Sequence, residues 1–247
     1  MTILRSAAFN VAFFVLTFVA TVAAAAVALV APHRTIHVAR TWARLTLVCL
    51  RLFCGIRVKV LGREYLPQGP ALIASRHQSA FDTLIWLILV PHCCYVLKNE
   101  LLRIPLWGRL VKATGMIAID RSGGATTLRA LVQAGERALR DRRQIIIFPE
   151  GTRGEPTHML PLQPGIAGLA MRTGLPVIPA VTDSGLHWGR RAFRKRPGTI
   201  HVELRPPIAG GFRRKELMQR LEEALQTPVG SPIPAAEIHP PVGKSVN

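Results

Sequence analysis

Gln144-Ile145-Ile146-Ile147-Phe148-Pro149-Glu150-Gly151-Thr152-Arg153 is the stretch on which the fold turns. Its first five residues form an apolar run with no polar alternation, the pattern of a parallel strand covered on both faces. The run ends directly in Pro149 and a charged, glycine-containing segment. Open α/β sheets bind ligands at the carboxyl ends of their strands, so the stretch predicts both an architecture and the place to look for a site.

Working outward, other short apolar runs alternate with helical patterns. Upstream, Ala71–Ser75 reads as a buried strand bounded by Gly69-Pro70, and Asp82–Leu89 as an apolar helix. Cys93–Leu97 is a strand, a helix begins at Pro105 and runs to about Thr114, and Met116–Ile119 is a strand that delivers Asp120-Arg121. Ala125–Arg142 has a helical period, with Leu128, Leu131, Val132, Gly135 and Leu139 on one face and arginines on the other, as in a cover helix. Ile56–Val60 alternates like an edge strand. Downstream come a helix over Ile166–Arg172, a strand over Pro176–Val181 whose prolines predict an irregular edge, a last strand over Thr199–Leu204, and a closing helix over Phe212–Gln226. The expected organisation is an α/β domain over 55–226 followed by a mobile Pro-rich tail over 227–247.

The strand ends carry the chemistry. His77 follows the Ala71–Ser75 strand, and Asp82 opens the next helix. An imidazole takes a proton near neutral pH, and a carboxylate one turn away can accept the hydrogen bond of its other ring nitrogen, fixing the tautomer and supporting the imidazolium. No protein nucleophile accompanies the pair and no G-x-S-x-G elbow is present, so the simplest completion is a substrate that brings its own hydroxyl. Alone, the pair reads more readily as a helix-capping Asp beside an unrelated His. The other strand ends add Lys98, Asp120-Arg121 and Glu150–Arg153. Arg121 and Arg153 suit a phosphate clamp, Gly151 admits close backbone approach, and Glu150 suits a substrate hydroxyl or a cation. Each also has a plain reading as an ion pair, a turn or a cap. Their shared position at strand ends favours a site.

The 247-residue chain has a net charge of +18. That balance calls for a polyanionic neighbour: nucleic acid, an anionic bilayer or a phosphorylated substrate. The basic residues are mostly arginines scattered along the chain. Aromatics make up only 6% of residues, and no zinc-finger, RNP or basic-heptad pattern appears, which argues against nucleic acid. A mean hydropathy of +0.26 points to a membrane. Cys49, Cys54, Cys93 and Cys94 include no C-x-x-C pair and read as buried free thiols of a reducing compartment. Residues 6–31 form an apolar helix long enough to span a bilayer. A cleavable signal peptide is the competing reading, with small residues at Ala23–Ala26. Basic residues follow at once (Arg34, Arg40, Arg44, Arg51), which by the positive-inside rule leaves the rest of the chain in the cytoplasm. A second, amphipathic helix over 36–53 either lies in the interface with its arginines among lipid phosphates or packs as an ordinary buried helix. Residues 1–54 are thus read as an anchor that crosses the bilayer or dips into one leaflet as a hairpin.

Four blocks in order resemble the glycerolipid acyltransferase family, in particular its bacterial 1-acylglycerol-3-phosphate acyltransferases. They are His77–Asp82, matching its H-x4-D block; Gly115–Arg121; Phe148–Arg153, identical to its most specific block; and Leu175–Ala180. The resemblance implies a mixed, largely parallel sheet flanked by helices, with an N-terminal membrane-anchoring helical segment. It implies transfer of an acyl group from acyl-CoA or acyl-carrier protein to the free hydroxyl of lysophosphatidate, without a metal or bound cofactor. By that likeness His77 is the base and Asp82 its orienter. Arg121 and Arg153 hold the acceptor phosphate with Lys98 beside them, Glu150, Gly151 and Thr152 belong to the acceptor site, and backbone N–H groups near a helix start bind the oxyanion. Partners would be the acyl donor, lysophosphatidate and anionic membrane lipids, at a bacterial inner membrane. Arg76 stands where the family usually has Asn. With Gly189-Arg190-Arg191 it leaves open another lysolipid acceptor, such as lyso-ornithine lipid. A non-catalytic basic membrane scaffold is the rival of another class, and it would have no need of the H-x4-D block.

Overall fold

Residues 2–104, 107–120 and 124–232 are described by a computed structural model of the chain. Two long helices lead: α1 (Thr2–Val30) and α2 (Thr35–Cys54). Gly55, in the left-handed region at φ 65°, stops α2 and turns the chain into β1 (Ile56–Leu61). There follow β2 (Ala71–Ser75), α3 (Asp82–Leu89), β3 (Cys93–Lys98), α4 (Trp107–Ala113), β4 (Ile117–Ile119), α5 (Gly124–Arg140), β5 (Gln144–Ile147), α6 (Gly165–Thr173), β6 (Val177–Thr182), α7 (Ser184–His187), β7 (Gly198–Leu204) and α8 (Arg214–Gln226). The helix expected from Pro105 is α4; Pro105 itself lies outside the described residues.

Among the described residues, seven strands form one sheet in the order β1-β7-β6-β2-β5-β3-β4. Every neighbouring pair is parallel except β6 and β7. β2, β3, β4, β5 and β6 therefore run the same way, and their carboxyl ends share one edge. β1 lies at a sheet edge, as its alternation predicted. The expectation of an irregular edge for the proline-bearing strand is corrected: β6 is an interior strand, buried at every position, between β2 and β7. The missing N–H of Pro179 is tolerated because its ladder with β7 starts one residue later, at Ala180, while the Pro179 carbonyl still accepts the Arg205 N–H at 2.9 Å.

Alternate residues of the central strands feed two cores. Ala71 and Ile73 of β2, with Ile146 of β5 and Ile178 of β6, pack under α2 and α3; Leu72, Ala74, Ile145, Ile147 and Val177 pack under α5, α6 and α8. Trp86 of α3 is fully buried in the first core and donates its indole N–H to Ser75 Oγ at 3.1 Å. Burying a side chain of that kind stabilises by about 2–3 kcal/mol. Phe9 of α1 and Ala43 and Leu50 of α2 belong to the same core, so the two leading helices pack as part of the domain. Arg40 of α2 donates to the Leu87 and Val90 carbonyls, both at 3.2 Å, and so caps the carboxyl end of α3 instead of standing free for lipid. At the other end, Arg205, fully buried, donates to the carbonyls of Thr227 and Pro228 at 2.8 and 2.9 Å, and Glu203 accepts the Gly230 N–H at 2.7 Å. The chain just after α8 is therefore held to β7, where sequence alone predicted mobility. Residues 233–247 of that tail lie outside the described residues.

Helix α1 is long and apolar enough to cross a membrane. Phe14 and Phe18 are 69% and 71% exposed, with Val11, Val15, Val19, Leu29 and Val30 also outward. A core helix of a soluble domain buries such residues. An outward apolar face of this extent marks a contact surface for a membrane or a partner.

Candidate active site

The loop 77–81 leaves β2 and is folded around one carboxylate. Asp82 Oδ2 accepts the Gln78 N–H at 2.7 Å, the Ser79 N–H at 2.8 Å and His77 Nδ1 at 3.1 Å; Oδ1 accepts the Ser184 hydroxyl at 2.6 Å. The cap of α3 is Phe81, with no side-chain cap bond, so Asp82 reaches back into the loop and does not act as a helix cap. An ionised carboxylate can only accept, so His77 is protonated on Nδ1 and its Nε2 carries the free lone pair. Asp82 is buried (1% exposed), while the His77 ring borders a cavity. Phe148, the residue after β5, stacks on that ring with centroids 4.1 Å apart, and Tyr95 of β3 stacks behind Phe148 at 6.0 Å. The imidazole is thus held in one orientation by a hydrogen bond in its plane and an aromatic wall on its face.

Glu150 does not face the cavity. Its side chain is fully buried. Oε1 accepts the His77 N–H at 3.1 Å, Oε2 accepts the Leu160 N–H at 3.2 Å, and Arg76 Nε lies 3.7 Å from Oε1. The expected contact of Glu150 with a substrate hydroxyl gives way to a structural geometry: the carboxylate ties the histidine loop to the segment after β5. Arg76 completes the tie by donating to the carbonyls of Glu155 and His158, at 3.4 and 3.2 Å. The residue that departs from the family pattern is therefore buried behind the site. Gly151 sits at φ 72°, a left-handed turn that favours glycine, and lines the cavity with Thr152 and Arg153.

The cavity holds about 800 Å³. It is apolar along most of its length, where Ala20 and Ala24 of α1, Ala39 of α2, Leu87, Trp107 and Leu110 line it. Its lining also carries four cations, Lys98, Arg153, Arg190 and Arg191, and the Gly154 N–H donates to the His77 carbonyl at 2.8 Å, which sets Arg153 beside the histidine loop. Burial lowers the proton affinity of the half-buried Arg153 guanidinium, Asp82 opposes that change, and Arg190 adds to it. Arg190 also donates to the Arg153 carbonyl at 3.3 Å. The structure thus brings His77, Lys98, Gly151, Thr152 and Arg153 around one space, with Asp82 and Glu150 buried behind it. Arg121 lies outside the described residues. Sequence reasoning missed Ser184. Its signal was the rule that found the others, since Asp183-Ser184 directly follows β6 at the same sheet edge.

A histidine–aspartate pair thus opens onto a mostly apolar cavity whose lining also carries Lys98, Arg153, Arg190 and Arg191. The family model described as Acyltransferase matches residues 57–183, and this chain belongs to that acyltransferase family. It is 34% identical over 209 residues to a 1-acyl-sn-glycerol-3-phosphate acyltransferase of Pseudomonas aeruginosa, covering 82% of this chain and 81% of that one. A protein of the same description from Limnanthes douglasii is 34% identical over 156 residues, 62% of this chain and 55% of its own length. The fold is shared with the crystal structure of the 1-acyl-sn-glycerophosphate (LPA) acyltransferase of Thermotoga maritima, at a TM-score of 0.74 over 92% of this chain and 95% of that one, with 20% identity.

Proposed function

We propose that this acyltransferase transfers a fatty acyl group from a thioester donor, acyl-CoA or acyl-carrier protein, to the free hydroxyl of 1-acylglycerol 3-phosphate, giving phosphatidate. The observation that carries the reading is the His77–Asp82 pair opening onto a mostly apolar cavity that Arg153, Arg190 and Lys98 also line. His77 Nε2 removes the hydroxyl proton as the oxygen attacks the thioester carbonyl. Asp82 stabilises the imidazolium that forms. The tetrahedral intermediate collapses with cleavage of the C–S bond, and the imidazolium proton passes to the departing thiolate. No acyl-enzyme is needed. Arg153, with Arg190, Arg191 and Lys98, holds the acceptor phosphate, and Arg121 of the matching block joins them. The acyl chain lies along the cavity between the α1–α2 hairpin and α4.

Residues 1–54 serve as the anchor and residues 55–226 as the catalytic domain. The outward apolar face of α1 sits in the bacterial inner membrane, among anionic lipids, with the site on the cytoplasmic side. The lysolipid acceptor and the phosphatidate product then stay in the bilayer throughout the reaction, while the thioester donor arrives from the aqueous side.

The test is acyl transfer by membranes carrying wild type or His77→Ala, with radiolabelled lysophosphatidate and each donor. Wild type should form phosphatidate, and the variant should lose about a hundredfold or more. Equal rates would refute the base. Acylation of a different lysolipid, with none of lysophosphatidate, would retain the chemistry and replace the acceptor.

A further inference from the structure

The segment after α7, residues 189–196, has a charge and shape that the reaction does not use in full. No acidic residue occurs between Asp183 and Glu203, while Arg190, Arg191, Arg194, Lys195 and Arg196 fall within seven positions. The four arginines are exposed. Among them Phe193 is 55% exposed, a large apolar ring that the fold leaves in the open.

The segment is clasped to α1. Lys195 is 3% exposed, and its ammonium donates to Asn10 Oδ1 of α1 at 2.8 Å and to the Ala192 and Phe193 carbonyls at 2.8 and 3.0 Å. It lies over the rings of Phe9 and Trp188, 5.7 and 5.4 Å from their centroids. Asn10 donates to the same Phe193 carbonyl at 3.3 Å, and the Lys195 N–H donates to Ser6 Oγ at 2.9 Å. Two positions of α1, one turn apart, therefore fix where Phe193 stands. Phe14 lies one further turn along the Asn10 face and is itself exposed. The open ring of Phe193 thus continues the outward apolar face of α1, with guanidinium groups around it.

We propose that residues 189–196 form a second membrane-binding surface, in which Phe193 enters the acyl–headgroup boundary and Arg194 and Arg196 contact anionic lipid phosphates, while Arg190 and Arg191 stand where the surface meets the cavity. The chemistry is that of an interfacial anchor: an aromatic side chain at the apolar boundary and cations at phosphate depth. Charge complementarity and continuity with α1 both select a lipid surface as the occupant. The inference rests on the reading of α1 as membrane-embedded. It adds that the cavity mouth, which Arg190 and Arg191 help to form, lies at headgroup level, where a lysolipid phosphate resides. Acceptor can then pass laterally from the leaflet into the site without crossing water.

The experiment places an environment-sensitive NBD probe on Phe193→Cys in the full chain. Cys54, Cys93 and Cys94 are buried and Cys49 is partly so, and the wild type serves as the labelling blank. Phe14→Cys on α1 and Glu222→Cys on α8, which covers the opposite face of the sheet, are the controls. The protein is reconstituted in vesicles of phosphatidylcholine with phosphatidylglycerol, with or without doxyl-labelled lipid. The expected result is blue-shifted emission at 193, quenched by doxyl lipid almost as at 14, and aqueous emission at 222. A probe at 14 that is not quenched sinks the membrane reading of α1. Quenching at 14 with aqueous emission at 193 overturns this proposal alone. A response at 193 to acyl-carrier protein and not to vesicles also overturns it, and reassigns the surface to the donor.

Discussion

Replacing Asp82 by asparagine separates the two tasks of that residue. Three donors converge on Oδ2, from Gln78, Ser79 and His77, so the amide oxygen must occupy that position. The new NH2 group then faces Ser184, whose hydroxyl can turn to accept from it. The loop geometry and the Nδ1–H tautomer of His77 are both retained, and only the negative charge is lost. At a separation of 3.1 Å and an effective dielectric of about 20, that charge stabilises the imidazolium by about 5 kcal/mol at most. The expected outcome is a fall in kcat of about 10³–10⁴-fold, with KM for lysophosphatidate nearly unchanged. The assay is phosphatidate formation by purified enzyme in detergent, with the unfolding temperature measured on the same samples. His77→Ala combined with Asp82→Asn should be no slower than His77→Ala alone, because the carboxylate acts only through the ring. A loss below about tenfold in the single variant, with the fold intact, would refute imidazolium stabilisation as the source of the rate.

Glu150→Ala strands the buried Arg76 and two loop N–H groups, at a cost of about 3 kcal/mol, so the unfolding temperature in detergent should drop by roughly 6–12 °C. Arg153→Ala should raise KM for lysophosphatidate about 10–100-fold with a smaller change in kcat, measured by varying the acceptor at saturating donor. Ala20→Phe fills the cavity from the α1 side and should shift the donor preference to shorter acyl chains, read from competition between thioesters of different length. Burial pushes the thiols of Cys54, Cys93 and Cys94 up, so their reactive thiolate forms remain scarce as pH rises from neutral to mildly alkaline. Maleimide treatment over that range should label Cys49 at most, and four thiols only after denaturation, as counted by mass spectrometry.

Local pattern made much of this molecule legible. Gln144–Ile147 and Ala71–Ser75 are unbroken apolar runs because both faces of their strands are covered, and each was readable as a parallel strand. The same logic misplaced β6, because proline content suggests an edge and the point where a ladder begins is not written in the strand itself. His77 and Asp82 were legible as a pair because only four residues of one loop separate them, a spacing that backbone geometry alone can bridge. Ser184, 102 residues from Asp82, was not; it arrives only because β6 pairs with β2. Glu150 shows the same limit. Its motif marks it as part of the site, but the adjacency of β5 to β2 turns its carboxylate onto the His77 N–H, 73 residues away. The sequence by itself determined the strands, most of the helices, the apolar character of α1 and the proximity of His77 and Asp82, because each depends on neighbours within a few residues. Tertiary structure decided which cations reach the cavity, which acid turns inward and how α1 docks on the 189–196 segment, because those depend on strand order, and strand order is set by packing across the whole sheet.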